Sequence, residues 1–132
     1  MRDALDANLI IHYIIGEPAE QRRQVQVLLN EPGVTHCIFD VVFSEVVYVF
    51  EKYYEWERAR IVEVLELFLE HFDEVLEYDR ELMALVLPYY VKHKALSFND
   101  CCLAFMAELK DAEPLFTFDK KLANQHASVK GL

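Results

Sequence analysis

Apolar and polar positions along this chain change period repeatedly, and the changes lay out short strands alternating with helices. Residues 2–6 read as a short buried strand ending at Asp6. Residues 8–15 read as a helix stopped by Gly16 and Pro18. Over 19–30, Val25, Leu28 and Leu29 recur at helical spacing ahead of Pro32-Gly33, a turn signal. Val34 to Ile38 gives a second strand, and Asp40 is placed to N-cap a strongly apolar helix over 41–54. Within 57–70, Ile61, Val62, Leu65, Phe68 and Leu69 share one stripe while Glu63, Glu66 and Glu70 face water. Glu74-Val75-Leu76 is a third strand. Asp79 then caps a helix over 80–94, which Pro88 kinks. Ser97 caps a helix over 98–110, and Leu115 to Phe118 is a fourth strand. Asp119 opens a last helical turn, and residues around Val129 add a fifth, edge strand.

Strands alternating with helices predict an α/β architecture with a mostly parallel sheet. In such sheets, sites form beyond the carboxyl ends of the strands. Only three glycines and four prolines occur, with no low-complexity linker or repeat, so residues 1–132 are expected to form a single domain. A hydrophobic fraction of 54% with 13% aromatics excludes disorder. Cys37, Cys101 and Cys102 are too few for a disulfide framework, and no CxxC pair offers a structural zinc site. That cysteine usage predicts a reducing, cytoplasmic setting. No signal peptide and no membrane span are expected. The formal net charge of −10 argues against indiscriminate binding to nucleic acid or anionic membrane. It leaves room for a local basic rim and suits a partner with a basic segment.

The candidate chemistry lies in carboxylates set into apolar runs. Asp6 lies in Ala4-Leu5-Asp6-Ala7-Asn8-Leu9. Glu45 is the only charge in Val41-Val42-Phe43-Ser44-Glu45-Val46-Val47-Tyr48-Val49-Phe50. Asp100 stands between Leu96-Ser97-Phe98 and Cys101-Cys102-Leu103-Ala104, and Asp119 ends Leu115-Phe116-Thr117-Phe118. A carboxylate in apolar surroundings costs roughly several kcal/mol unless a cation or hydrogen bonds compensate it. Four such residues, far apart in sequence, suggest one shared hard cation, Mg²⁺ or Mn²⁺. Each aspartate also has a plain alternative as a helix cap. Ser97-Phe98-Asn99-Asp100 resembles a capping box with Asp in place of Glu. Glu45 is mid-helix and cannot be a cap, so its alternative is a buried salt bridge with an arginine.

On these motifs the chain resembles the PIN-domain family, in particular the VapC-like toxins of prokaryotic toxin–antitoxin pairs. Leu5-Asp6-Ala7-Asn8-Leu9-Ile10 is similar to the family's first-strand motif, and Val42-Phe43-Ser44-Glu45-Val46-Val47-Tyr48 to the helix carrying its Glu. Leu96-Ser97-Phe98-Asn99-Asp100-Cys101-Cys102-Leu103-Ala104 is similar to its third motif. Leu115-Phe116-Thr117-Phe118-Asp119-Lys120-Lys121-Leu122 is similar to its last, a strand ending in Asp. The resemblance implies a three-layer α/β/α sandwich with strand order 3-2-1-4-5 and metal-dependent endoribonuclease activity. It implies Asp6, Glu45, Asp100 and Asp119 as catalytic and metal-binding residues, with Asn8 and Thr117 in support. It also implies a homodimer and a cognate antitoxin whose C-terminal segment covers the acidic groove. Two departures stand out. Asp3 falls where the first strand usually buries an apolar side chain, which would fit a strand that starts late. The −10 charge is unlike a nuclease surface.

Phosphodiester cleavage needs an activated water and charge stabilisation on the attacked and leaving oxygens, and metal ions held by carboxylates supply both. In this reading Asp6 and Asp100 hold the principal ion and Glu45 ligates or orients a metal-bound water. Asp119 completes the shell or holds a second ion. Lys120 and Lys121, and Lys92, His93 and Lys94, either rim the site against phosphates or form solvated turns and helix ends. His12, His36, His71 and His126 lack the spacing of a ligand set. Cys101 and Cys102 read as small packing residues. Tyr48, Phe50, Tyr53, Tyr54 and Trp56 crowd one inter-helix turn, some for the core and the surplus for an interface. Two other functions compete: a non-catalytic PIN-like protein-interaction module, and a phosphoacceptor α/β domain using a strand-end Asp with Mg²⁺. Glu45 has no role in the latter.

Overall fold

A computed structural model describes residues 1–132 and divides them into two compact units, Met1–Asp79 and Arg80–Leu132. The first unit runs β1 (Arg2–Ala4), α1 (Ala7–Ile15), α2 (Ala19–Leu29), β2 (Thr35–Cys37), α3 (Asp40–Lys52), α4 (Arg58–His71) and β3 (Leu76–Glu77). Its strands form a parallel sheet in the order β1-β2-β3, with Asp3 opposite His36 and Cys37 opposite Glu77. The second unit runs α5 (Arg80–Lys92), α6 (Phe98–Leu109), β4 (Leu115–Thr117), α7 (Lys120–Gln125) and β5 (Val129–Gly131), with β4 and β5 paired in parallel. The ladders thus fall into a three-stranded and a two-stranded sheet. They contain the 3-2-1 and 4-5 neighbours of the expected order. The architecture is mixed α/β with parallel strands, as the alternation of periods predicts.

Local chemistry sets several helix ends. Gly16 closes α1 in the left-handed region, φ 83°, where its N–H reaches the His12 carbonyl at 2.9 Å. Ser97 caps α6, its hydroxyl accepting from the Asp100 N–H at 3.0 Å. The stripe on α4 buries Ile61, Val62, Leu65, Phe68 and Leu69 as its spacing predicts. Asp40, expected as the cap of α3, is instead its first helical residue, and Phe39 holds the cap position without a side-chain bond. No helix is long and apolar enough to cross a membrane.

The strand that carries Asp3 does not start late. It begins at Arg2, and Asp3 faces the fully buried His36 across the ladder, with His36 Nδ1 2.5 Å from Asp3 Oδ1. A parallel neighbour that can hydrogen-bond replaces the apolar contact usual at such a position.

Candidate functional site

The four sequence-selected acids take three local forms. Asp6 follows β1 and caps α1, one carboxylate oxygen accepting from the Ala7 N–H at 2.8 Å. Asp119 follows β4 and caps α7, its Oδ1 accepting from the N–H groups of Lys121 (2.9 Å) and Leu122 (3.3 Å). Its own N–H donates to Thr117 Oγ1 at 3.0 Å, so Thr117 fixes the backbone that presents Asp119. Asp100 lies in the first turn of α6. Its N–H meets Ser97, but the return half of a capping box is absent and its carboxylate makes no protein hydrogen bond.

Glu45 corrects the sequence reading. It is exposed on α3, without an ion pair, and is neither buried among apolar side chains nor paired with an arginine. The helix buries Val42, Phe43, Val46, Val47 and Phe50 on one face. Val41, Glu45 and Tyr48 share the other, with Val41 63% and Tyr48 54% exposed. An apolar run in sequence is therefore an exposed apolar–acidic stripe in space.

Asp6 and Glu45 belong to the first unit and Asp100 and Asp119 to the second. No group of three or more His, Cys, Asp or Glu side chains stands ready to hold a metal ion. In donor chemistry the four nevertheless fit a hard divalent cation. All are oxygen donors, none is paired with lysine or arginine, and each has at least one carboxylate oxygen uncommitted.

The family of this fold is decided by the span of the match. The model of the PIN domain matches residues 4–126, nearly the whole chain and all four acids. The chain belongs to the PIN-domain family. PIN domains are generally nucleases and typically depend on a divalent metal. Among solved structures, the chain is similar to VapBC2 from Rickettsia felis bound to a DNA fragment from its promoter. Identity is 20% and TM-score 0.42, over 100% of this chain and 98% of that one. No curated protein matches it.

Within this PIN domain, the strand-end cleft of the first unit holds chemistry that sequence reasoning missed. A cavity of about 250 Å³ lies at the ends of β2 and β3, lined by residues that include Cys37, Phe39, Asp40, Glu77 and Tyr78, and by none of the four acids. Glu77 Oε2 accepts from the Cys37 thiol at 2.8 Å and from Arg2 Nε at 2.5 Å. The thiol bond, then the guanidinium, holds Glu77 below the usual carboxylate range. The same bond to Glu77, with burial second, pushes the Cys37 thiol up, which makes it a poor nucleophile. Alternation along three short strands was the signal. Arg2, Cys37 and Glu77 share one face of the sheet, Asp3 and His36 the other.

The basic flanks are mostly solvated. Lys92, Lys94, Lys120 and Lys121 are exposed, while His93 stacks on Tyr89 at 3.6 Å between ring centroids. The aromatic turn divides as expected. Phe50 is buried with Trp56 stacked on it at 4.4 Å, while Tyr48, Tyr53 and Tyr54 face solvent.

Proposed function

We propose that this PIN domain, residues 1–132, is a metal-dependent endoribonuclease and the toxin of a type II toxin–antitoxin pair, cytoplasmic and acting as a homodimer with a cognate antitoxin. One observation carries the reading: four carboxylates, on segments that resemble the family's motifs, have no basic partner and keep at least one oxygen uncommitted. Carboxylates brought together would repel one another, and a divalent cation would offset that repulsion. Asp6 and Asp100 would hold Mg²⁺ or Mn²⁺, with Glu45 and Asp119 completing the set. The ion, when bound, supplies Lewis-acid stabilisation and lowers the pKa of water. The chain's own part is to position donors. Asp6 and Asp119 are fixed by the caps they form, Asp119 additionally through Thr117. Asp100 is fixed by the Ser97-capped turn of α6. Lys120 and Lys121, directly after Asp119, are the nearest cations in sequence for RNA phosphates.

A second reading is a non-catalytic PIN-like protein-interaction module. It draws on the −10 charge and on the exposed Val41–Glu45–Tyr48 stripe, which suits a basic, partly apolar segment. The two separate in one experiment: cleavage of a mixed RNA pool with Mn²⁺ or Mg²⁺, and with EDTA, by wild type, Asp100→Asn and Glu45→Gln. Glu45 is exposed and unpartnered, so Glu45→Gln should leave stability within about 0.5 kcal/mol. Cuts lost to EDTA and to both variants establish the nuclease. Cuts that persist in both variants refute this site.

A further inference from the structure

The formal charge of −10 is not spread evenly along the chain. Residues 1–79 carry six Lys and Arg against seventeen Asp and Glu, whereas residues 80–132 carry seven against six. The excess of acid belongs wholly to the first unit. In the second unit, the segment 114–132 holds β4, α7 and β5. Its charged side chains are Lys120, Lys121, Lys130 and a single acid, Asp119.

The β4–β5 pair has two unlike faces. Side chains alternate along a strand, and parallel partners in register point to the same side. Val129, opposite Leu115, is buried, and a Cβ at Gly131, opposite Thr117, would meet the Ala123 Cβ of α7 at 3.6 Å. That face is covered. Phe116, opposite Lys130, takes the other face, and Phe118 follows two residues on. Phe116 is 61% and Phe118 83% exposed, and Lys130 is exposed as well. Neither phenyl ring meets another aromatic ring, and Lys120, Lys121 and Lys130 have no ion pair. Parallel strands are ordinarily covered on both faces. Here one face leaves two phenyl rings bare beside unpaired cations, directly ahead of Asp119.

That combination favours a single-stranded nucleic acid. Every base has a flat apolar face that stacks on an aromatic ring whatever the sequence, and lysines track the phosphates between bases. A duplex keeps those faces inside its own stack. A second copy of the chain docked by the same face would gather the lysines of both copies into one interface, like charge on like.

We propose that the outer face of the β4–β5 pair is a stacking platform for single-stranded RNA. Phe116 and Phe118 each receive a base, Lys130 contacts phosphate, and the strand continues past Lys120 and Lys121 to Asp119. The platform rests on the nuclease reading for its substrate, but its test reads binding without metal, so the two fail separately. The probe is an unstructured, fluorescein-labelled RNA of about twelve nucleotides, followed by anisotropy in EDTA. Phe118→Leu keeps an apolar side chain and removes the ring, so Kd should rise roughly tenfold, and Phe118→Trp should restore it. Phe116→Leu is an independent second probe of the same loss. Lys130→Gln should flatten the slope of log K against log salt by about 0.7. A blunt duplex of the same sequence should bind more weakly and ignore Phe118→Leu. Val27→Ser, at a 69% exposed position on α2, should change nothing. Phe118 is so exposed that its variants should melt with the wild type. Equal affinity in wild type and both leucine variants, a duplex weakened as much by Phe118→Leu, or no binding by wild type up to about 100 µM would each overturn the platform. So would a concentration-dependent dimer lost in Phe118→Leu while RNA affinity is kept, which gives the face to a second copy. Ring-dependent binding without metal-dependent cuts keeps the platform and removes the nuclease; cuts with ring-independent binding do the reverse.

Discussion

Asp3→Ala tests how a polar pair is tolerated inside a three-residue strand. His36 is fully buried, the Asp3 side chain is 31% exposed, and the two meet at 2.5 Å. An ionised carboxylate only accepts, so His36 Nδ1 is the donor. The other ring nitrogen, Nε2, is already buried without a partner. Removing the carboxylate would strand a second polar atom on a ring that cannot reach water. A buried donor left unpaired costs about 1–3 kcal/mol, and partial exposure of Asp3 places this case near the middle, about 2 kcal/mol. With an unfolding entropy of about 2.1 cal/mol/K per residue over 132 residues, that is a drop of roughly 7 °C in Tm. The paired change Asp3→Ala with His36→Leu leaves no polar atom to satisfy, so it should lose less than Asp3→Ala alone, a coupling above about 1 kcal/mol. Urea unfolding followed by circular dichroism gives all four corners of the cycle. The reasoning fails if Asp3→Ala costs under about 0.5 kcal/mol, or if the double change costs the sum of the singles.

Two further outcomes follow from the two ends of the charge map. Mn²⁺ or Mg²⁺ at about a hundred times its Kd should add about 2.7 kcal/mol of stability, and Asp100→Asn should abolish most of the melting shift; an unchanged shift would remove Asp100 from the ligand set. Glu77 titrates below its ordinary 4.5 in the folded protein, so the unfolded chain binds its proton first as pH falls. The stability that Glu77 contributes is therefore complete above pH 4.5 and is lost as pH drops through its lower folded value. Urea midpoints between about pH 6 and pH 3 should fall less steeply in Glu77→Gln than in wild type, and equal slopes would rule out the Cys37–Glu77–Arg2 arrangement as the cause.

Element types were legible because each rests on local chemistry. The α4 stripe, the Gly16 stop, the Ser97 cap and the short apolar strands all act within a few residues. What stayed hidden depends on partners distant in sequence. Asp3 reads as an anomaly until His36 stands opposite it, and Cys37 shows no partner until Glu77 and Arg2 arrive from two other strands. Glu45 was misjudged for a different reason. A run of β-branched and aromatic residues looks buried on all sides, yet a helix of this spacing buries five of them on one face and leaves Val41 and Tyr48 beside Glu45 in water. The two cap-forming acids were ambiguous in sequence because a cap commits only one carboxylate oxygen, so the same residue fits either reading.

That ambiguity decides how the proposed site has to be dissected. Asp6 and Asp119 each use one carboxylate oxygen to satisfy helix N–H groups, so an alanine at either position removes a cap and a candidate ligand together. Lost cleavage would then say nothing about metal binding, since cap loss alone costs roughly 0.5–2 kcal/mol and could displace the turn. Asparagine caps about as well as aspartate but removes the negative charge a cation needs. Asp6→Asn and Asp119→Asn therefore separate the two roles, while at Asp100, whose carboxylate caps nothing, and at Glu45, the amide tests the charge alone. The proposed site, built from residues that also terminate strands and start helices, would draw its rigidity from the same hydrogen bonds that hide it in the sequence. Asp100 and Glu45, whose carboxylates make no such bond, are therefore the positions at which an amide reads charge without disturbing a cap.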